Sequence, residues 1–275
     1  MTIKRFLKIV FSLLTAVLLL LVFFVPFYWM IVTSIKSVGE VLLFPPSLWP
    51  ESPQWDNFLR AVTAVPFAQY TVNSMVVTLG ILVCQLVTVI PAAYAFARYR
   101  FRGRSFFFGL TMTTMMIPGQ LIFLPIFLLF SKWGLINSYA TLILPFASSA
   151  FGIFMLRQSF MRVPEEIIEA ARMDHAGELQ IMFKIMLPIS RPTVVTLALF
   201  TFISAWNDYF WPLVMTTTDA VRTLPLAIAA LKTVDSGITY HLVMAGNVLM
   251  ILPIAAAFIL AQKQFIRAFT YSGEK

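Results

Sequence analysis

The sequence is poor in charge and in cysteine. Charged residues make up 12% of the 275 residues, about half of the roughly 25% found in ordinary soluble domains. The single cysteine, Cys84, excludes an internal disulfide and any cysteine-based metal cluster. With 60% hydrophobic residues and 27 phenylalanines, a chain of this length could not keep water off its apolar surface with one core. These features exclude an ordinary soluble protein and indicate that most of the chain lies in lipid.

The sequence also lacks the motifs of a membrane-embedded enzyme and of a nucleotide-binding protein. Its two histidines, His175 and His241, do not form an H-E-x-x-H motif, and no G-x-x-x-x-G-K-[ST] loop is present. We therefore expect no metal-dependent hydrolysis, no metal site and no cofactor. Any dependence on ATP must come from a partner.

Long apolar runs are abundant. A spanning helix needs roughly 20 mostly apolar residues, and six stretches qualify, at about 7–32, 72–97, 105–130, 139–160, 192–214 and 241–262. The first is longer than a signal-peptide core and lacks a small-x-small cleavage site, so we expect a retained helix. Each stretch contains or ends on a proline, which predicts kinks. The sequence thus predicts an all-α integral membrane protein with six transmembrane helices.

The net charge of +8 is better explained by orientation in the membrane than by a nucleic-acid partner. Fifteen of the twenty Lys and Arg residues fall on one side of the predicted spans, and that side normally stays in the cytoplasm. Both termini are therefore predicted to be cytoplasmic. On the other side, residues 33–71 are predicted to be an irregular interfacial segment, and residues 215–240 a loop able to contact a soluble partner.

The segment 162–191 is too long for a simple connector between the fourth and fifth spans. Pro164 stands where a first helical position would, and Glu165 and Glu166 follow in the first turn. A second short helix carries an apolar stripe at helical spacing, formed by Leu179, Met182, Phe183 and Met186. Periodicity alone leaves two interpretations open: a helix pair held by another protein, or one resting on the inner leaflet.

Several motifs resemble those of permease subunits of ATP-binding-cassette (ABC) importers. Glu169-Ala170-Ala171, followed by Asp174, resembles the EAA loop of that family. The resemblance covers about residues 70–270 and is to the carbohydrate-importer branch, specifically its maltose-type second permease. The other motifs that carry it are Asn73-Ser74, Ala92 to Arg98, Ile117-Pro118, Leu156-Arg157-Gln158, Trp206-Asn207-Asp208, Thr223-Leu224-Pro225 and Gln264 to Arg267.

The resemblance implies an ABC importer type I permease fold in three parts. These are an N-terminal helix with an outer segment at 1–71, a five-helix permease domain at 72–262, and a cytoplasmic tail at 263–275. It implies a non-catalytic subunit that forms half of the path of an ATP-driven sugar importer in the bacterial inner membrane. The implied partners are a second homologous permease, two ATP-binding-cassette ATPase subunits and an extracytoplasmic sugar-binding protein. An ion-coupled secondary transporter and a non-sugar ABC permease are the alternatives.

The EAA loop is the part that the resemblance assigns to ATPase coupling. The residues concerned are Glu165, Glu166, Glu169, Ala170, Ala171, Asp174, His175 and Gly177. We expect Glu169 to make the polar contact with the ATPase, a solvated surface carboxylate being the alternative. The apolar residues expected to anchor the helix are Ile167, Ile168, Ala170 and Ala171.

The turn after the EAA helix departs from the family pattern. His175 stands at the family's glycine position, where a positive φ costs a side chain about 1 kcal/mol. Gly177 is expected to take part of the turn. A pH sensor or a ligand is the alternative role for His175.

Asp208 is the only acidic residue in a predicted span, and intramembrane carboxylates usually face an interior. With Trp206, Asn207 and Tyr209 it could bind a polyhydroxylated ligand, because rings cover C–H faces while polar groups bind hydroxyls. Packing between helices is the alternative. The outer loop resembles the segment that reaches the binding protein in this family, which implies contacts by Asp219, Arg222, Asp235 and Gly237, a simple lid being the alternative.

Overall fold

The computed structural model describes residues 3–232 and 239–270. Within these ranges the chain is helical and contains no strand, which satisfies the backbone hydrogen bonds of each segment internally, as lipid requires. The predicted all-α architecture is confirmed. The chain divides into two compact units, one of Met1–Ala68 with Ala227–Leu252 and one of Gln69–Leu226 with Pro253–Lys275.

The helices differ widely in length, from single turns to spans of more than thirty residues. In chain order they are α1 (Ile3–Ser34), α2 (Val38–Val41), α3 (Asp56–Thr63), α4 (Phe67–Arg98), α5 (Arg104–Thr114), α6 (Gly119–Lys132), α7 (Tyr139–Ile143), α8 (Ala150–Met161), α9 (Glu165–Met173), α10 (Glu178–Gln180), α11 (Leu187–Ile189), α12 (Arg191–Trp206), α13 (Phe210–Met215), α14 (Leu224–Ala230) and α15 (Tyr240–Thr270). A 3₁₀ turn at Leu144–Phe146 follows α7, and a π-helical turn at Ile181–Met186 follows α10.

Three helices are long and apolar enough to cross a membrane unbroken: Leu7–Ser34 of α1, all of α4, and Tyr240–Gln264 of α15. Three further candidates are bent pairs, so the number of spans in the described residues reaches six when each pair counts as one. The pair α5 and α6 is bent by 95°, the pair of Tyr139–Phe146 and α8 by 42°, and the pair of Glu178–Ile189 and α12 by 81°. The predicted stretch 192–214 is not continuous, since α12 ends at Trp206 and α13 begins at Phe210.

Prolines lie at or beside all three bends, and Pro188 and Pro192 flank the bend before α12. Pro118 stands before α6 in extended backbone, with ψ 129°, and Pro145 lies in the 3₁₀ turn before α8. Each lacks the N–H that would continue the preceding helix. Pro26, Pro91 and Pro253, by contrast, lie inside continuous helices. A proline in an apolar stretch therefore did not by itself predict where the chain breaks.

In the first unit, the segment after α1 is held by a buried polar network. The side-chain amide of Asn57 donates to the carbonyls of Ser34 and Lys36, each at 2.9 Å. Lys36 is itself buried, and its ammonium nitrogen lies 4.6 Å from the centre of the Trp29 ring. The segment 33–71, predicted to be irregular, thus contains the two short helices α2 and α3 and an ordered connection between them.

In the second unit, one buried cluster joins α4, α8, α12 and the 162–191 loop. Val89 of α4 and Leu197 of α12 approach each other at Gly152 of α8, where a Cβ atom would lie 3.3 Å from Val89 and 3.0 Å from Leu197. Glycine there permits close helix packing. Ile168 and Met186 of the loop are fully buried in the same cluster. The loop is therefore an integral part of this core.

Candidate functional site

The 162–191 loop begins with α9, whose first turn carries Glu165 and Glu166. Pro164 is the residue that precedes the helix, with φ −56° and ψ 141°, and is not its first helical residue as predicted. A proline is accepted in either place because its missing N–H would have no partner inside the helix. The two carboxylates remain where they complement the helix dipole.

The side chains of α9 divide into a buried and an exposed face. Ile168 is 0% and Ala171 8% exposed, and both pack in the core shared with α4. Ile167 is 41% exposed, and Ala170 is exposed as well. The predicted four-residue anchor is therefore wrong for Ile167 and Ala170. Residues three apart share a helix face, whereas their immediate neighbours are rotated away from it.

The turn after α9 is built on His175, which adopts a positive φ of 59°. The His175 N–H donates to the Arg172 carbonyl and the Ala176 N–H to the Ala171 carbonyl, both at 3.0 Å. This is the pair of hydrogen bonds of a Schellman C-cap, in which glycine is the usual left-handed residue. Gly177 has φ −69°, so the expectation that it takes part of the left-handed turn is wrong.

The second half of the loop departs from the predicted α-helical stripe. The chain winds as a π-helix over Ile181–Met186, in which hydrogen bonds join residues five apart. Ile181 and Met186, five apart, are fully buried, whereas Leu179 is 70% and Phe183 50% exposed. The stripe is wrong for Leu179 and Phe183 because π winding changes which residues share a face.

Arg98, the last residue of α4, holds the beginning of the loop. Its side chain is 7% exposed and its guanidinium lies 2.7 Å from the Glu165 carboxylate. It also donates to the carbonyl of Phe160 at 2.6 Å and to that of Val163. The planar fork of arginine suits three acceptors held in fixed positions. The loop is thus attached to α4 by side-chain contacts as well as by packing.

A second contact joins α4 to the later part of the loop. The Tyr94 hydroxyl donates to one Glu178 carboxylate oxygen at 2.6 Å, and Arg172 Nε donates to the other at 3.1 Å. Neither Tyr94 nor Arg98 is among the predicted site residues, although both lie in the 92–98 motif. The available signal was two polar residues, four apart, that end an otherwise apolar helix.

Three of the predicted carboxylates of the loop point away from the core. Glu166, Glu169 and Asp174 are exposed, and their side chains form no hydrogen bond or ion pair with the described residues. No group of three or more His, Cys, Asp or Glu side chains in the described ranges could hold a metal ion. What we call the outer surface of α9 consists of Glu166, Ile167, Glu169, Ala170, Met173 and Asp174.

The predicted substrate residues 206–209 lie at a break between helices. Trp206 ends α12, is fully buried and stacks on Phe202 at a ring distance of 5.8 Å. The Asn207 amide donates to the Ile203 carbonyl, one turn back, at 2.8 Å. Both residues thus stabilise the end of α12, while Tyr209 is 44% exposed.

Asp208 occupies a different environment from its neighbours. Its Oδ1 accepts a hydrogen bond from the Trp211 N–H at 3.2 Å, and it borders a cavity of about 270 Å³. The polar and aromatic residues of that cavity are Gln120, Phe146, Ser204, Asp208, Phe210 and Trp211. A few polar groups among aromatic rings suit a polyhydroxylated ligand. Of the four predicted substrate residues, Asp208 borders this cavity and the other three do not.

The segment between α13 and α14, residues 216–223, is fixed by the start of α4. The Asn73 amide donates to the carbonyls of Ala220 at 3.1 Å and Arg222 at 2.9 Å. The Ser74 hydroxyl oxygen accepts from the Leu224 N–H at 2.7 Å. The Asn73-Ser74 and Thr223-Leu224-Pro225 motifs are therefore two sides of one contact.

Asp219 and Arg222, predicted to meet a binding protein, pair with each other at 2.8 Å. Their side chains are 58% and 37% exposed. The Tyr70 hydroxyl donates to the same carboxylate at 2.6 Å, and together with the Arg222 guanidinium it holds the pKa of Asp219 below its usual range. Asp235 and Gly237, predicted for the same role, lie outside the described residues.

The chain resembles known transport proteins in sequence. The family model described as "Binding-protein-dependent transport system inner membrane component" matches residues 89–271. The arabinooligosaccharides transport system permease protein AraQ of Halalkalibacterium halodurans is 36% identical over 244 residues, which cover 88% of this chain and 86% of AraQ. The sn-glycerol-3-phosphate transport system permease protein UgpE of Brucella abortus is 31% identical over 250 residues, covering 88% and 89%.

Solved structures agree in fold. A chain of a bacterial ABC transporter involved in the import of the acidic polysaccharide alginate aligns with a TM-score of 0.80 at 28% identity, covering 95% of this chain and 97% of that one. A chain from an alginate ABC transporter in complex with an alginate pentasaccharide-bound periplasmic protein aligns with a TM-score of 0.67 at 15% identity, covering 97% and 96%. The fold is that of an ABC importer permease.

Proposed function

Because this chain belongs to the family of binding-protein-dependent transport system inner membrane components and is the permease subunit of an ABC importer, we propose that it forms half of a translocation path for a sugar. The names of two similar proteins support the substrate class. AraQ is the permease of an arabinooligosaccharides transport system, and one solved ABC transporter is involved in the import of alginate. The UgpE relatives make an organic phosphate the second candidate. A second homologous permease would supply the other half of the path.

The proposed orientation has both termini and the 162–191 loop in the cytoplasm. It rests on the fifteen basic residues that fall on that side of the predicted spans. In this orientation the outer surface of α9 faces an ATPase, and the 216–223 segment faces an extracytoplasmic sugar-binding protein. The parts of the chain then correspond to an N-terminal helix and outer segment at 1–71, a permease domain at 72–262 and a tail at 263–275.

The observation that carries the coupling role is the two-sided construction of α9. Its inner face is buried through Ile168 and Ala171, and its first residue is bonded to Arg98 at the end of α4. Its outer surface presents Glu169 with no partner among the described residues. A helix held on one side and open on the other can pass the movement of a soluble subunit to α4 as a rigid body. ATP hydrolysis itself would belong to two partner ATPase subunits, each gripping one such helix.

The variant Glu169→Lys tests this role. We expect the chain to insert normally and the assembled complex to keep hydrolysing ATP, while sugar uptake falls roughly tenfold or more, because reversing a charge at an interface costs at least about 1.4 kcal/mol. Uptake into membrane vesicles and ATP hydrolysis would be measured on the same preparation. Glu51→Lys, the same charge reversal at another exposed carboxylate, is the matched control. Undiminished uptake in Glu169→Lys would overturn the coupling role.

The substrate class is tested separately on the assembled complex. We expect binding-protein-dependent stimulation of ATP hydrolysis by an oligosaccharide, with Asp208 as the contact to its hydroxyls. If sn-glycerol 3-phosphate stimulates ATP hydrolysis and none of the tested sugars does, the proposed substrate is an organic phosphate and not a sugar. Uptake by a complex that lacks any ATPase subunit would instead favour an ion-coupled transporter.

A further inference from the structure

A second cavity, of about 600 Å³, lies between the beginning of the 162–191 loop and the beginning of α12. It is separate from the cavity at Asp208 and shares Ile167 with the outer surface of α9. Its polar lining consists of Ser159, Arg162, Arg191, Thr193 and Gln264. None of these five residues has a role in the proposed transport cycle, so the cavity calls for an explanation of its own.

The two arginines of this cavity have no counter-charge in the described residues. Arg162 caps the end of α8 and Arg191 is the first residue of α12. Neither guanidinium forms an ion pair or a side-chain hydrogen bond there, although the loop contains five carboxylates. Glu165 and Glu178 are bonded to other arginines, and the other three face outward. Both side chains are exposed, so two cations without a protein counter-charge border one cavity and are available to an anionic ligand.

The remaining polar groups of the cavity are also suited to an anion. The Thr193 hydroxyl donates to Ser159 Oγ at 3.1 Å, which leaves the Ser159 hydroxyl free to donate elsewhere. Gln264 adds an amide, and none of the carboxylates in the described part of the chain lines the cavity. The chain bends by 81° before α12, so the positive end of the α12 dipole is not continued by a preceding helix. Guanidinium and hydroxyl donors in this number match the several oxygens of a phosphate group.

We propose that this cavity binds a phosphate group, the chemistry that an anionic phospholipid headgroup shares with a free phosphate. Its position suits a lipid, because α12 is part of a candidate membrane span and Arg191 is its first residue, so the cavity lies at one end of the apolar helix. Apolar walls at Val163, Ile189 and Pro192 would contact the glycerol and first methylenes. Basic pockets at the cytoplasmic ends of spanning helices bind anionic headgroups in this way. A bound phosphate would join the end of α8 to the beginning of α12.

The test measures lipid retention by the assembled complex in phosphatidylcholine nanodiscs that contain a labelled phosphatidylglycerol. We expect Arg162→Gln/Arg191→Gln to weaken phosphatidylglycerol binding roughly 25-fold, since each basic residue near the surface contributes about fivefold. Arg102→Gln, at an exposed arginine outside the cavity, controls for general charge and should bind like the wild type. The Arg162→Lys/Arg191→Lys variant keeps both charges and should retain most of the binding, which separates loss of the site from loss of folding.

A second arm uses inorganic phosphate as the soluble probe. Displacement of the labelled lipid by phosphate, but not by chloride at equal ionic strength, would assign the site to a free phosphate. Retention of lipid against phosphate would assign it to the headgroup, and either result supports the proposal. Equal lipid retention by the wild type and the Gln variant would overturn the proposal. Loss of subunit assembly with unchanged lipid retention would also overturn it, because the arginines would then bind a protein partner. Only the orientation rests on the proposed function, and this binding assay can fail while the Glu169→Lys result stands.

Discussion

The two ends of α4 each hold one segment outside the spanning helices, with different chemistry. At the beginning, Asn73 and Ser74 bond to backbone groups of residues 220–224. At the end, Arg98 and Tyr94 bond to the 162–191 loop, with Glu165 and Glu178 as their carboxylate partners. The bonds of Asn73 and Ser74 are neutral and involve main chain, although Tyr70 at the same end also donates to the Asp219 carboxylate. The contact at the other end includes an ion pair, between Arg98 and Glu165.

The contacts at the two ends of α4 therefore differ in strength and in their dependence on salt. Hydrogen bonds from buried amides to backbone carbonyls satisfy groups that must be paired, so they fix the 216–223 segment at any ionic strength. Ion pairs to partly exposed carboxylates are weaker and are screened by salt. Glu165 is 56% exposed, while Arg98 is nearly buried and also binds two carbonyls. The loop is therefore attached at one firm point, Arg98, and the ion pair with Glu165 is the weaker, salt-dependent part of that attachment.

The largest expected effect comes from removing the firm point of the loop. Arg98→Met takes away the donors for the carbonyls of Phe160 and Val163 and leaves Glu165 without its partner. We expect a loss of about 3 kcal/mol in the free energy of unfolding, because buried acceptors lose their hydrogen bonds. Unfolding in detergent and protease cleavage within 162–191 would both be measured.

Glu165→Gln is the matched control for Arg98→Met. It removes only the ion pair with a half-exposed carboxylate, so it should cost less than about 1 kcal/mol, and less still at high salt. If the two variants cost the same, the carbonyl contacts of Arg98 contribute nothing. The distinction between the strong carbonyl contacts of Arg98 and its weaker ion pair with Glu165 would then be wrong.

A smaller effect is expected at the other end of α4. Asn73→Ala removes two hydrogen bonds to the carbonyls of Ala220 and Arg222 and a third that Asn73 Oδ1 accepts from the Tyr139 hydroxyl. It should cost about 2 kcal/mol in total, since each bond contributes roughly 0.5–1.5 kcal/mol net. Hydrogen exchange should rise in residues 220–224 and stay unchanged in 162–191. Gln69→Ala, whose exposed amide makes longer contacts of 3.3 and 3.4 Å with the same segment, should change exchange little. Equal increases in both segments would show that the two ends of α4 are not independent.

Sequence patterns predicted the features that repeat along the chain. Apolar stretches of about 20 residues gave the helical architecture, because lipid imposes length and composition directly. The position of His175, at the place of a family glycine, correctly predicted the left-handed residue of the turn, since a positive φ is set by the local chain. The carboxylates in the first turn of α9 were likewise predicted from local rules.

The contacts between residues far apart in the sequence could not be predicted in the same way. Arg98 meets Glu165 across 67 residues and Tyr94 meets Glu178 across 84, and no local pattern encodes such pairs. Ile181 is buried in place of the predicted Leu179 because the chain winds as a π-helix. That winding is determined by tertiary packing and not by a local sequence pattern. The sequence predicts that Trp206 to Tyr209 lie within a span, because their neighbours are apolar. In the structure they form the break between α12 and α13, so their four side chains lie in different environments.

The smallest expected effect is a dependence on pH confined to the 216–223 segment. The Tyr70 hydroxyl and Arg222 hold the pKa of Asp219 below its usual range, so the folded chain keeps this carboxylate ionised at a lower pH than the unfolded chain, in which its pKa is about 3.9. Its stabilising contribution is therefore complete above that value and is lost as the pH falls through the folded-state pKa. Because the side chain is 58% exposed, solvent screening limits the contribution to less than about 1 kcal/mol.

Comparison of the wild type with Asp219→Asn at two pH values isolates this contribution. The difference in unfolding free energy should be measurable at about pH 6 and should shrink at a lower pH, as the pH falls below the unfolded-state pKa of about 3.9 and towards the folded-state pKa. The cost of Asn73→Ala should be the same at both pH values, because no group in that contact titrates in this range. A difference for Asp219→Asn that persists unchanged at the lower pH would mean that Tyr70 and Arg222 contribute through geometry alone. The contacts of Asn73 and of Tyr70 with the 216–223 segment would then both be independent of charge. Only the 162–191 loop, at the other end of α4, would be held by a charge-dependent contact.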